Sequence, residues 1–188
     1  MKYLIKVSNF SKNYKVKEVV TKDFIITKNV TLIIGENGSG KSTIIKAICG
    51  FINYEGNIDI NGKISYMSES PIFPVGITVN EFITRLKHIS INSLNDQLIK
   101  NLFKTFKIED KLDTLISSLS KGMKAKLNLI QCLMENVDIY ILDEPLSGLD
   151  KEGVYHLINY IKSSNKSYII STHLLKDFEH ISDEVIIL

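Results

Sequence analysis

No stretch of this chain is apolar for long. Spanning a bilayer takes about 18 consecutive apolar residues, and no run in the 188 residues approaches that length. The opening Met1-Lys2-Tyr3-Leu4-Ile5 is broken by Lys6 and does not read as a signal peptide. Cysteine is scarce. Cys49 and Cys132 are the two present, and neither has a CxxC partner. They read as buried thiols of a reducing compartment, with no zinc site suggested. Charge of either sign is not in excess: the net charge is +2, too mild to imply nucleic acid or an anionic membrane as a partner. Internal repeats, low-complexity tracts and Pro/Gly-rich linkers are also missing. What remains is a chain with 44% apolar content, enough for one core and a single domain.

Glycine is sparse too, yet three glycines gather in Gly35-Glu36-Asn37-Gly38-Ser39-Gly40-Lys41-Ser42. This stretch follows the apolar run Val30-Thr31-Leu32-Ile33-Ile34 and leads into a helical pattern from Thr43 to Cys49. A buried strand, a Gly-rich turn and a helix N-terminus in that order make a P-loop. Successive backbone N–H groups with no Cβ in the way form an anion-sized concavity, and the positive end of the helix dipole points into it. Lys41 would reach the β- and γ-phosphates and Ser42 would ligate Mg²⁺. Gly35, Glu36, Asn37, Gly38, Ser39, Gly40, Lys41, Ser42 and Thr43 are therefore the candidate triphosphate-binding residues.

The rest of the chain supplies an α/β frame. Met1 to Ser8 alternates as a strand does, and further strands are expected at Val16–Val20 and Phe24–Thr27. Gly56 to Gly62 reads as a short strand ending in an Asn-Gly turn, with Lys63 to Met67 as its return strand. From Thr78 to Leu133 the pattern is helical. Thr78 with Glu81 fits an N-terminal cap. Leu94, Leu98, Leu102 and Phe106 form an apolar stripe on a helix from Asn92 to Phe106, and Ser120 caps a helix running to Met134. Val137 to Leu142 and Ser167 to Ser171 read as buried parallel strands. A helix from Lys151 to Ile161 lies between them, a short helix from Leu174 to His180 follows, and a last strand spans Glu184 to Leu188. This order predicts a parallel core with a helical insertion from about Gly76 to Glu135.

Three further side chains fall where chemistry would need them. Asp143 ends a buried strand, expected beside the P-loop strand, where a Mg²⁺-site carboxylate belongs. Glu144 follows, placed to accept a proton from an attacking water. His173, at the end of the next strand, could donate a hydrogen bond to the γ-phosphate. His88, His156 and His180 have no such context. Tyr14 reads either as an exposed strand aromatic or as a platform for adenine.

Taken together these segments resemble the nucleotide-binding domain of ABC (ATP-binding cassette) proteins, over nearly the whole chain. Gly35 to Ser42 matches Walker A and Ile139 to Glu144 matches Walker B with its catalytic glutamate. Ser147 to Asp150 looks like the D-loop, His173 like the switch histidine and Ser11 to Tyr14 like the A-loop, which favours Tyr14 as the adenine platform. Leu119-Ser120-Lys121-Gly122-Met123 resembles the signature, usually LSGGQ. Lys121 and Met123 depart from that form, while Ser120 and Gly122 keep the groups that would contact a γ-phosphate bound in a partner subunit. Glu69 stands where the Q-loop usually has Gln. A carboxylate there can still bind Mg²⁺ or a water, at the cost of added negative charge. Both departures look like those of bacterial ABC-2-type exporters that carry their ATPase as a separate chain.

The resemblance implies a P-loop NTPase core of mostly parallel sheet, residues 1–75 and 136–188, with an antiparallel β subdomain and an inserted helical subdomain, residues 76–135, bearing the signature. Many family members continue past the last strand by some tens of residues, so the chain ending at Leu188 is either a minimal cassette or a trimmed one. The implied function is that of an ATPase subunit of an exporter, with ATP and Mg²⁺ as ligands. Glu144, His173 and Lys41 would be catalytic, and Ser42, Asp143 and Glu69 would be at the metal. Two cassettes, identical or paired, would dimerise head to tail and work through a separate transmembrane permease subunit at the cytoplasmic face of the cell membrane, with no nucleic acid partner. The alternative is a soluble ABC ATPase of a cytoplasmic assembly, for example for iron–sulfur clusters. A third reading, a binding module whose chemistry has been lost, is opposed by the intact Lys41, Asp143, Glu144 and His173.

Overall fold

The computed structural model describes residues 3–15, 18–90, 94–173 and 175–188. Met1 and Lys2 of the first expected strand, Val16 and Lys17 of the second, Asn92 and Ser93 of the expected helix, and Leu174 at the head of the last helix lie outside the described residues. The chain divides into two compact units. The first comprises Met1–Tyr66, Val137–Glu144 and Asn165–Leu188, the second Met67–Asn136 and Pro145–Ser164.

Two sheets form among the described residues of the first unit. In one, β1 (Ile5–Asn13) pairs antiparallel with β2 (Glu18–Val20), β3 (Phe24–Ile26) and β5 (Glu55–Ile60). The other holds β4 (Val30–Ile34), β6 (Ile64–Met67), β7 (Ile139–Asp143), β8 (Ser167–Thr172) and β9 (Glu184–Ile187), in the order β6-β7-β8-β4-β9. The β7–β8, β8–β4 and β4–β9 pairs are parallel. Every residue of β7 and β8 is buried, which is why their centres, Ile139–Leu142 and Tyr168–Ile170, are continuous apolar runs rather than alternating ones. Helix α1 (Lys41–Ile48) turns Ile44, Ile45 and Ile48 into one apolar cluster with Ile5, Val7 and Phe10 of β1 and with Ile33, Ile141 and Ile169 of the parallel strands.

Two expectations are corrected. The strand that carries Asp143 is not beside the P-loop strand, because β8 lies between β7 and β4. Nor does Lys63–Met67 return along β5. It leaves the antiparallel sheet at Gly62 and joins the parallel one. Asn61 N–H still donates to Leu4 O at 2.8 Å, but Lys63 N–H donates to the Asp138 carboxylate at 2.8 Å and Lys63 O accepts from Asp138 N and Ile139 N. These bonds to β7 and its lead-in replace the ones a hairpin would supply. Gly62 makes the crossing at φ 140°, and a Cβ there would stand 2.9 Å from Asp138 Cβ.

The second unit is helical. It contains α2 (Val79–Ile89), α3 (Asp96–Thr105), α4 (Lys121–Leu133) and α5 (Lys151–Ser163), with short 3₁₀ turns at Glu109–Lys111 and Ile116–Ser118. The sequence capped these helices. Thr78 and Glu81 form a reciprocal capping box at α2, and the Thr78 N–H bond holds the Glu81 carboxyl below its usual range. Asn95, Ser120 and Asp150 accept N–H groups of the first turns of α3, α4 and α5. The buried stripe of α3 runs through Ile99, Leu102 and Phe103 to Phe106, with Leu94 and Leu98 at its margin. No helix among the described residues is long and apolar enough to cross a membrane.

Because Gly62 sits in backbone space that side chains rarely enter, Gly62→Ala is expected to lower stability by about 1–3 kcal/mol. Urea unfolding should show the midpoint falling with the slope unchanged. An unshifted midpoint would refute the strain assigned to this crossing.

Candidate functional site

The loop between β4 and α1 is shaped by its glycines and closed by its own backbone. Ser39 N–H donates to Glu36 O at 3.1 Å, and Ile44 N–H to Gly40 O at 2.9 Å begins the helix. Gly40 is the N-cap at φ 109°, ψ 5°, with no side-chain capping bond. A Cβ at Gly40 would lie 2.6 Å from Val19 Cγ1. With no side chain capping them, the first N–H groups of α1 are available to an anion. Lys41 is buried, and its ammonium donates to Gly35 O at 2.7 Å and Glu36 O at 3.1 Å. The charge is thereby folded back over the mouth of the loop, with one donor of three still unassigned.

The carboxyl end of β7 meets this loop. Asp143 is 2% exposed. Its Oδ1 accepts from Ser171 Oγ and, at 3.4 Å, from Ser42 Oγ; its Oδ2 accepts from Tyr66 OH at 3.4 Å. Ser171 is the cross-strand partner of Asp143 on β8. Cys49 is near enough that burial, and then the Asp143 charge, push its thiol up to about 12, which keeps it protonated and unreactive. Glu144 has φ 47°, in the left-handed region although it is not glycine. Its N–H is shared between Ser171 O and Ser171 Oγ, both at 3.1 Å. Its carboxylate, 12% exposed, lies 2.9 Å from His173 Nδ1. Tyr14 follows β1, with its hydroxyl 3.4 Å from Thr43 Oγ1, its ring 46% exposed and Lys12 Nζ 5.7 Å from the ring centroid.

The donor set fits a hard cation. Ser42 and Asp143 offer oxygen only, and among the described residues no group of three His, Cys, Asp or Glu forms a protein cage. Mg²⁺ is ordinarily held by one or two protein oxygens, with phosphates and water completing the shell.

The remaining candidates belong to the second unit. Ser120 caps α4, its Oγ accepting Met123 N–H at 3.2 Å. Gly122 approaches Gly148 closely enough that a Cβ would lie 3.2 Å from its carbonyl. Glu69 is exposed and lines a groove of about 390 Å³ with Met67, Pro71, Phe73, Lys124 and Asn128. The Asn128 amide donates to Ser68 O at 2.8 Å and fixes the strand exit that presents Glu69.

The family model described as ABC transporter matches residues 25–147. An uncharacterized ABC transporter ATP-binding protein of Methanocaldococcus jannaschii is 34% identical across 100% of this chain and 75% of its own. The chain belongs to the ABC transporter family. ABC-type transporter ATP-binding protein EcsA of Bacillus subtilis is 32% identical over 83% of this chain and 70% of that one. A solved ATP-binding subunit of an ABC transporter matches with a TM-score of 0.85 at 28% identity, covering 98% of this chain and 85% of that one. As an ABC ATP-binding subunit the protein is an ATPase.

In this ABC ATPase the fold brings Tyr14, Lys41, Ser42, Thr43, Asp143, Glu144 and His173 together within the first unit, while Glu69, Ser120 and Gly122 are carried by the second. Sequence reading passed over Ser171 and Tyr66, two further residues of the first unit that bond Asp143. Ser171 left one trace, a polar residue following the apolar run Tyr168-Ile169-Ile170.

Lys41→Ala removes the only side-chain charge at the loop mouth among the described residues that has this geometry, and it is expected to weaken ATP binding roughly 30- to 100-fold, the loss of one or two charge-assisted hydrogen bonds. Tyr14→Ala should weaken ATP binding roughly 10-fold, the value of one base–aromatic stack, with turnover at saturating ATP unchanged. Titration with a fluorescent ATP analogue reads both. Wild-type affinity in either variant would remove that residue from the nucleotide site.

Proposed function

We propose that this ABC ATPase powers an exporter, pairing head to tail with a second cassette and driving a separate membrane subunit. The observation that carries the catalytic part is that consecutive carboxylates at the end of β7 engage the site on two sides, Asp143 bonded by Ser42 of the P-loop helix and Glu144 by His173. In this reading Gly35 to Thr43 cradle the triphosphate, Tyr14 stacks on adenine, and Ser120 and Gly122 of the opposite copy complete each site. Ser42 and Asp143 would hold Mg²⁺, which when bound would supply positive charge to the β- and γ-phosphates.

The chain's own residues then divide the work. Lys41 exchanges the carbonyls of Gly35 and Glu36 for phosphate oxygens. Glu144 takes a proton from water as the water oxygen bonds to the γ-phosphorus and the bond to the ADP oxygen breaks. His173 donates Nδ1–H to the Glu144 carboxylate and orients it; when both ring nitrogens carry hydrogen, Nε2–H is left to donate to the transferring phosphoryl group. Since the signature of each copy serves the other's nucleotide, a single copy holds an incomplete site and turnover follows dimerisation.

The partner reading rests on the groove beside Glu69 and on the loop next to it, where Ile72 is 98% and Val75 87% exposed. A largely apolar groove beside a loop with exposed apolar side chains suits a helix of a membrane subunit and would place the protein at the cytoplasmic face of the membrane. Export is favoured by Ser120-Lys121-Gly122-Met123, the form of the signature seen in exporters.

Glu144→Gln is expected to retain ATP, to accumulate as an ATP-dependent dimer in size-exclusion chromatography, and to lose turnover at least 100-fold. Turnover near wild type would dismiss Glu144 as the base. Gentle solubilisation of the native membrane should recover the chain with a polytopic protein in fixed stoichiometry. Recovery in the soluble fraction alone would replace the transporter reading with a cytoplasmic ATPase.

A further inference from the structure

Ser171 is fully buried, and its one hydroxyl joins the two acidic residues of the site. The hydroxyl hydrogen goes to Asp143 Oδ1. The oxygen lone pairs face the Glu144 N–H at 3.1 Å, alongside Ser171's own carbonyl, also at 3.1 Å. A serine has one donor and two acceptor sites, so the direction of this chain is fixed. The carboxylate cannot donate and the amide cannot accept, which leaves the hydroxyl a single way to serve both. Register makes the arrangement possible, since Asp143 and Ser171 lie opposite each other on neighbouring strands.

Both neighbours need the help. Asp143 is withdrawn from water, and its other hydroxyl contacts, from Ser42 and Tyr66, are longer, at 3.4 Å each. Glu144 is held at φ 47°, a conformation that costs a non-glycine residue about 1–2 kcal/mol and persists only where the surroundings enforce it. A backbone slip at Glu144 would swing its carboxylate away from His173.

We infer that Ser171 is a positioning residue, setting the carboxylate of Asp143 for the metal and the backbone of Glu144 for proton abstraction through one hydroxyl. It is fully buried and acts through these two neighbours. The inference rests on the proposed roles of Asp143 and Glu144, and its test is built to fail separately from them.

The experiment compares the wild type with Ser171→Ala and Ser171→Thr in the full chain. Nucleotide affinity is measured with a non-hydrolysable ATP analogue, with Mg²⁺ and with EDTA, alongside steady-state kinetics and thermal melting. Loss of the hydroxyl should cut the affinity gained from Mg²⁺, and kcat, by roughly 10- to 100-fold, the usual effect of removing a partner of a metal-site ligand. The EDTA affinity should stay within about 2-fold, because the P-loop is untouched, while KM for ATP, read with Mg²⁺, rises with the lost gain. Ser171→Thr keeps the hydroxyl and should restore both quantities. If the alanine variant keeps the wild-type Mg²⁺ gain and kcat, or if the threonine variant is as impaired as the alanine one, the inference is overturned. It is overturned too if melting temperature, EDTA affinity and kcat all fall together, which marks a role in packing alone. A wild-type protein with no Mg²⁺ gain would instead remove Asp143 from the metal, a failure of the underlying reading and recognisable as such.

Discussion

A carboxylate withdrawn from water needs hydrogen-bond donors within reach, and Asp143 is almost entirely withdrawn. Burying an ionised group without partners costs several kcal/mol, whereas a hydrogen bond to a charged group returns about 1.5–3 kcal/mol. The donors arrive from three places far apart in sequence: Ser171 on β8, Ser42 at the head of α1 and Tyr66 on β6. Each comes from an element whose position is set by the parallel sheet and the helix packed on it. Arranging the site and folding the first unit are therefore largely one event. The same carboxylate weighs on Cys49 and helps keep its thiol protonated, so the one thiol near the P-loop is chemically quiet.

Much of this was legible in the residues. Val30 to Ser42 reads as strand, turn and helix because an apolar run, closely spaced glycines and a helical pattern each impose their own period. The caps at Thr78 and Ser120 were readable for a similar reason, as short-range chemistry between residues three apart. The crossing at Gly62 was not. Asn61-Gly62 between two extended runs has the local form of a hairpin turn, and what overrides it is a long-range bond from Lys63 to Asp138. Ser171 was hidden likewise. Its importance comes from standing opposite Asp143, and strand neighbours cannot be read before the order of strands is known. That order was itself misjudged, with β7 expected beside β4.

The second unit shows a different kind of tension. Lys121, Lys124 and Lys126 crowd the first turns of α4, which has no acidic residue there. Positive charge at a helix N-terminus opposes the macrodipole by a few tenths of a kcal/mol per residue. Lys126 is relieved by Asp150 at 3.1 Å, and the same aspartate caps α5 with its other oxygen. The Asp150 carboxyl is held below its usual range by the Gly153 N–H first and by Lys126 second. One side chain thus fastens the start of α5 to the signature helix.

The order of strands also sets a schedule for synthesis. The P-loop strand, Val30–Ile34, takes its neighbours from Ser167–Thr172 and Glu184–Ile187. A ribosome that has finished the nucleotide loop must add more than a hundred residues before the strand behind it acquires either partner. Through that interval an apolar, β-prone segment stands with both edges open. The sheet that organises the enzyme is thus among the last parts able to close, and the nascent chain's exposure to misassociation is a direct cost of threading two late strands around an early one.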